Sequence, residues 1–243
     1  MTDILLRRTM WFQDDRERKT VDQTFLTTDA RSLVVLGEAG MGKSTLLGQL
    51  RGLKGYTFCT ARLLINAPDT ATRFGGAETL VVDALDEISA QRDGDAVDLV
   101  VRKLAELGYP RFILSCRVAD WRSATGIQGL SDLYGQAPLE LYLDPLERAD
   151  AVEVLSEALG ETEAEEAASA LEEQGLAGLW SNPQTLNLIR EVIGRGALPR
   201  SRGDLFETAT NLMRKEHRDE KVSARLVAQP EGAVLDAAGA AFA

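Results

Sequence analysis

The apolar positions of this chain follow two rhythms, and one gives way to the other near residue 143. Before that point short, almost unbroken apolar runs recur: Leu33-Val34-Val35-Leu36, Tyr56-Thr57-Phe58-Cys59-Thr60-Ala61, Thr79-Leu80-Val81-Val82-Asp83, Arg111-Phe112-Ile113-Leu114-Ser115-Cys116 and Leu139-Glu140-Leu141-Tyr142-Leu143. Such runs, rich in branched and aromatic residues, predict buried strands. Between them lie stretches of helical spacing: Thr45-Leu46-Leu47-Gly48-Gln49-Leu50, and a face made by Val97, Val100, Val101, Leu104 and Leu107 that Gly108 closes. Arg62-Leu63-Leu64-Ile65 either continues the second strand or opens a short helix, and residues 68–76 read as a loop. Strands alternating with helices, several continuously apolar, predict an α/β fold whose parallel five-stranded sheet is covered on both faces.

After residue 143 the spacing becomes helical throughout. Asp144 has the chemistry of a cap with Pro145 at the first helical position, and Leu146, Val152, Leu155 and Leu159 follow. Thr162 and Glu165 form a capping-box signature for a second helix ending at Gly175, Asn182-Pro183 opens a third, and residues 204–217 make a fourth. The expected organisation is a lead-in segment over 1–30, an α/β domain over 31–143, a small all-helical domain over 144–220, and the start of a further domain over 221–243. In the lead-in, Trp11 and Phe12 read as packing anchors ahead of a charged run, Asp14 to Lys19. The apolar stretch that ends at Ala243 has no cap or polar tail, which suggests a fragment of a longer protein.

One stretch gives this frame its chemistry. Gly37-Glu38-Ala39-Gly40-Met41-Gly42-Lys43-Ser44 lies between the first predicted strand and the first predicted helix, the context a phosphate-binding loop requires. Gly37, Gly40 and Gly42 are expected to take backbone conformations closed to other residues and to bring N–H groups close to a β-phosphate, where the helix dipole adds positive potential. Lys43 would reach the β- and γ-phosphates, and Ser44 would offer its hydroxyl to Mg²⁺, with Thr45 next in the opening helix.

Hydrolysis needs more than the loop. Asp83, at the end of an apolar strand, has the position of a Walker B carboxylate that supports Mg²⁺, and Asp86 or Glu87 would polarise the attacking water. Arg117 follows the fourth strand, whose end opens on the same crevice in a parallel sheet. It is placed either to sense a γ-phosphate or to pair with the acidic cluster.

Composition narrows the picture further. In 243 residues, 44% hydrophobic and 27% charged residues are enough to bury a core. No apolar run is long enough to span a membrane, and Asp3, Arg7 and Arg8 surround a very short apolar patch, so no signal peptide is expected and a cytoplasmic location is. The net charge of −11 argues against broad binding to nucleic acid or anionic lipid. Cys59 and Cys116 lie inside strand-like runs and read as small buried hydrophobes, not as a disulfide or metal site. The lone histidine, His217, sits in a charged helix end, which disfavours histidine-based catalysis.

Taken in succession, residues 37–44, Leu80-Val81-Val82-Asp83-Ala84-Leu85-Asp86-Glu87, Ile113-Leu114-Ser115-Cys116-Arg117, Leu143-Asp144-Pro145-Leu146 and Asn182-Pro183-Gln184-Thr185-Leu186 resemble the motifs of STAND-class P-loop ATPases, specifically the NACHT group. The resemblance covers about residues 31–220. The small Ala84 followed by an acidic pair is its most discriminating feature. It implies that Arg117 acts as a γ-phosphate sensor and that Pro183 contacts the adenine, although a proline after Asn182 is also good capping chemistry in itself.

It also implies an ATP/ADP switch with Mg²⁺ that forms homo-oligomers in the ATP state and answers a protein trigger, such as a phage-derived one, by activating an effector. In bacteria this is antiphage defence. Residues 230–243 resemble the start of the winged-helix domain that follows in that family. Two other readings stay open: a nucleotide-locked assembly scaffold with negligible turnover, and an AAA+-like ATPase associated with DNA, which the acidity disfavours. No Asn-Lys-x-Asp base-reading motif of GTPases and no Ser-Gly-Gly-Gln signature of transporter ATPases occurs.

Overall fold

The computed structural model describes residues 6–85, 96–123, 127–196 and 198–216. They form two compact units that divide between Pro145 and Leu146.

The first unit is built on one sheet. In chain order its strands are β1 (Thr9–Asp14), β2 (Glu17–Asp22), β3 (Leu33–Leu36), β4 (Tyr56–Thr60), β5 (Thr79–Asp83), β6 (Arg111–Cys116) and β7 (Leu139–Leu143), arranged β2-β1-β7-β3-β6-β5-β4. The five expected strands are all present, and β7-β3-β6-β5-β4 run parallel. The sheet nevertheless has seven strands instead of five, because the lead-in folds into a hairpin and pairs antiparallel with β7, Met10 opposite Leu143 and Trp11 opposite Tyr142.

The hairpin was hidden by its turn. Asp15 and Arg16 both have positive φ, 42° and 80°, the pattern of a two-residue turn that sequences usually announce with Asn-Gly. Here a charged pair occupies it. Phe12 is buried as a packing anchor, whereas half-buried Trp11 stacks on Tyr142 at 4.5 Å between ring centroids, with the Arg18 guanidinium 4.6 Å from the Trp11 ring.

Both sheet faces are covered, as alternation along β3 makes plain. Val34 and Leu36 pack into one apolar cluster with Leu80, Val82, Leu114 and Trp121, while Leu33 and Val35 pack into the other with Leu46, Leu47, Ile113 and Leu141. With period two, a strand buried on both sides must be apolar at every position, and β3 is. Helix Ala96–Glu106 buries Val97, Val100 and Leu104 and ends at Gly108, whose φ of 76° lets Tyr109 N–H reach back to the Leu104 carbonyl.

Some expectations change. Residues 61–65 form a helix, Ala61–Ile65, and the expected loop over 68–76 contains another, Thr70–Phe74, capped by Asp69. Two further helices, Val118–Ser123 and Ile127–Tyr134, lead from β6 towards β7.

The second unit, taken by itself, is helical over its described part: Arg148–Leu159, Glu161–Glu173, a short 3₁₀ turn at Ala177–Leu179, Pro183–Ile193 and Arg202–Glu216. Its first two caps differ from expectation. Glu147, not Asp144, caps the first helix through a reciprocal box with Asp150, and Gly160 precedes the second, which leaves Thr162 inside it. Asp144 is instead tied into the first unit, where its carboxylate pairs with Arg18 and its N–H donates to the Thr9 carbonyl. Asn182 does cap the third helix: its Oδ1 accepts from Gln184 N–H at 2.9 Å, with Pro183 at the first position. His217 and residues 221–243, including the expected start of a further domain, lie outside the described residues.

Candidate functional site: the phosphate loop and its neighbours

The loop begins where β3 ends. Gly37 N–H continues the ladder to the Cys116 carbonyl at 3.3 Å, and the chain then turns, with Met41 N–H donating to the Glu38 carbonyl at 3.3 Å. A four-residue turn with positive φ at its third residue needs glycine there, and Gly40 has φ of 75°. Gly42 follows at φ of 84° as the residue capping helix Lys43–Gly48. For both, the conformation explains the residue type.

Gly37 is different. Its φ is not positive, and an added Cβ would meet Leu143 and Met41 at 3.5 Å, an ordinary contact. The expectation that all three glycines take forbidden conformations therefore holds for Gly40 and Gly42 alone.

The Lys43 side chain folds back over the loop. Its ammonium donates to the Gly37 carbonyl at 2.7 Å and to the Glu38 carbonyl at 3.0 Å, and the residue is buried. An ammonium withdrawn from water is stable only if its donors are used, and the loop carbonyls use them. Glu38, Ala39, Ser44 and Thr45 are exposed, with Gly40 and Met41 half-buried. The open side of the loop thus presents backbone and the Ser44 hydroxyl to solvent.

Asp83 stands two strands away, with β6 between, roughly 10 Å across at the backbone from strand spacing. The residue is 6% exposed, and its Oδ1 accepts from the Ser115 hydroxyl at 2.6 Å. That hydroxyl also accepts the Ala84 N–H at 2.9 Å, while Leu85 N–H donates to the Ser115 carbonyl. Ala84 has φ of 60°, a left-handed conformation that costs an L-residue roughly 1–2 kcal/mol. The two N–H bonds to Ser115 hold it there, turning the chain sharply out of the strand just after Asp83. A small side chain at 84 is what such a turn tolerates.

Arg117 follows the end of β6, between the loop strand and the Asp83 strand, and is exposed. Its carbonyl accepts Trp121 N–H at 3.0 Å, which starts the next helix. Asp86 and Glu87 lie outside the described residues. Pro183 belongs to the second unit, where it occupies the first turn of its helix.

Two contributors carried no role in the sequence reading. Ser115 had a legible signal, a lone hydroxyl in an otherwise apolar buried run. Arg8 had none. It is 6% exposed, and its guanidinium donates to the Met41 carbonyl at 2.7 Å and to the Asp144 carbonyl at 2.8 Å, which ties the loop to the end of β7. Nearby, the Tyr142 hydroxyl donates to Glu140 at 2.6 Å. Burial first, and that bond second, push its phenol above the usual range, so it remains a neutral donor.

Among the described residues no group of three or more His, Cys, Asp or Glu stands together to hold a metal. Mg²⁺ needs only one or two protein oxygens, because it completes its shell with phosphate and water, and Ser44 and Asp83 are the residues that would supply them. No described helix is long and apolar enough to cross a membrane.

A parallel α/β sheet with a glycine loop between its central strand and the following helix, a buried lysine in that loop and a carboxylate at a nearby strand end define a P-loop fold. No family model matches the chain, and no curated protein matches it by sequence. Several solved structures are similar in fold. A Walker-type ATPase of Pyrococcus abyssi is 15% identical, with 83% of this chain and 74% of that one covered and a TM-score of 0.48. AMPPCP-bound DnaA from Aquifex aeolicus is 16% identical over 78% of this chain and 61% of its own, with a TM-score of 0.45. A Signal Transduction ATPase with Numerous Domains (STAND) protein with a tetratricopeptide repeat sensor, from Pyrococcus horikoshii, is also 16% identical, over 78% of this chain but only 31% of its own, at 0.45.

Proposed function

We propose that this chain is the ATP-binding and ATP-hydrolysing switch module of a STAND-type signalling ATPase of the NACHT group. The observation that carries the proposal is the loop itself: left-handed Gly40 and Gly42 shape it, and the Lys43 ammonium rests on carbonyls that a phosphate would replace as its partners. In this reading the loop's N–H groups hold the β-phosphate and Lys43 moves from the Gly37 and Glu38 carbonyls onto the β- and γ-phosphate oxygens. Ser44 and Asp83 hold Mg²⁺, with Ser115 fixing the carboxylate. The cation supplies charge neutralisation at the phosphates when bound.

Asp86 or Glu87 orients water for attack on the γ-phosphate, and Arg117, next to the loop strand, reports whether that phosphate is present. Pro183 touches the adenine. Turnover is slow, as suits a timer, and the ATP state assembles into homo-oligomers that act on an effector after a protein trigger, in the manner of antiphage defence. Support for these last roles is the motif resemblance alone.

Titration calorimetry with ATP and ADP, with and without Mg²⁺, tests the core of the proposal alongside a turnover assay. Lys43→Ala should weaken binding about 100-fold or more, since hydrogen bonds to charged partners are worth about 1.5–3 kcal/mol each. Glu87→Gln or Asp86→Asn should bind ATP and turn over slowly. Wild-type protein that binds neither nucleotide, or a Lys43→Ala protein that binds as well as wild type, would overturn the reading.

A further inference from the structure

Arg8 is a buried cation that the proposed chemistry does not use. It precedes β1, its N–H donates to Gln23 Oε1 at 3.0 Å, and its fork divides between two backbone carbonyls far apart in sequence, Met41 in the phosphate loop and Asp144 just after β7. A trans peptide holds its C=O and the following N–H in one plane, pointing in opposite directions from the C–N bond. Fixing the Met41 carbonyl towards Arg8 therefore fixes Gly42 N–H on the far side of that peptide.

Gly42, which has no Cβ, also leaves that peptide free to turn about its φ, here 84°. Without a restraint on the Met41 carbonyl, this peptide is the natural place for the loop to lose its shape. Asp144 is restrained as well, by Arg18 and by its N–H bond to Thr9, so the second arm of the Arg8 fork is anchored to the sheet.

We propose that Arg8 is a positioning residue of the phosphate loop: by bridging the Met41 and Asp144 carbonyls it sets the orientation of the Met41–Gly42 peptide and holds Gly42 N–H ready for a nucleotide phosphate. The proposal rests on the reading of the loop as a nucleotide site. Arginine is required, because it reaches the two carbonyls with two separate nitrogens of a rigid plane, whereas a lysine ammonium gathers its three donors on one atom and does not reproduce that span.

The test uses Arg8→Lys and Arg8→Ala in the full chain, with ADP and Mg²⁺–ATP as probes, measuring affinity by calorimetry and amide exchange by mass spectrometry. Arg8→Lys is expected to weaken both nucleotides about tenfold, the equivalent of one charge-assisted hydrogen bond. It should also speed exchange in residues 38–43 about tenfold while residues 79–83 exchange as before. Because Arg8 acts through the Met41–Gly42 peptide, its effect should shrink when combined with Gly42→Ala, whereas independent sites add.

Wild-type affinity and exchange in Arg8→Lys would overturn the proposal. Faster exchange throughout the sheet would reduce Arg8 to a structural residue and overturn it equally. If wild-type protein binds no nucleotide, the reading of the site falls and this proposal falls with it, whereas tight wild-type binding with an indifferent Arg8→Lys condemns the proposal alone.

Discussion

Replacing Ser115 by alanine removes one oxygen from the centre of the site and has a calculable cost. The hydroxyl is fully buried, donates to Asp83 at 2.6 Å and accepts from Ala84 N–H at 2.9 Å. Its loss leaves a buried amide without that acceptor, at about 1–3 kcal/mol, and deprives a carboxylate of a donor, a bond worth about 1.5–3 kcal/mol where water cannot substitute. Water can in part, since Asp83 is at the open end of its strand, so the total should be about 2–4 kcal/mol. The volume change is one oxygen, so the cavity contribution is minor beside these.

A chain of this size shifts by roughly 2–4 °C per kcal/mol, which predicts a fall of about 5–15 °C in the melting of the sheet unit. Amide exchange at Ala84 reports the same event locally and should lose its protection, because the Ser115 oxygen is that amide's acceptor. A Ser115→Ala protein within about 1 °C of wild type, with Ala84 still protected, would show that the hydroxyl does not hold the turn and would refute the account of Ala84's left-handed backbone.

Further outcomes follow from the same geometry. Gly42→Ala forces a side chain into φ of 84° and should weaken both the loop and its nucleotide affinity by roughly 1–2 kcal/mol, about tenfold, in calorimetry, while Gly37→Ala leaves the melting temperature unchanged. Burial pushes the Cys59 thiol up to about 12, whereas an unfolded cysteine ionises near about 8.5. Only the unfolded chain gives up this proton between those values, so wild type should lose about 1.4 kcal/mol per pH unit relative to Cys59→Ala as pH rises above about 9, with a constant difference below that. Denaturant titrations of the two proteins from pH 7 to 10 would measure it.

Much of the fold was legible because period alone carries it. The strands β3, β5 and β6 are apolar at nearly every position, as strands buried on two faces must be, and the glycine loop sits between strand and helix where its backbone demands left-handed residues. The lead-in hairpin was not legible, since Asp15 and Arg16 take a turn conformation that their side chains do not advertise. Nor was the role of Asp144: its capping chemistry is sound, but Arg18 and Thr9 claim it from the sheet, and Glu147 has Asp150 at the right spacing to cap the helix instead.

The sequence by itself determined the chemistry on offer, a loop of glycines with Lys43 and Ser44, a strand ending in Asp83, and an arginine after a second strand. Local rules suffice for that, because loop shape and strand periodicity are properties of neighbouring residues. Only the tertiary structure decided what holds those groups still. Strand order put β6 between the loop and Asp83, which made Ser115 the partner of that carboxylate, and pairing of the hairpin with β7 carried Arg8 to the back of the loop, across separations in sequence that no pattern of hydrophobic positions records.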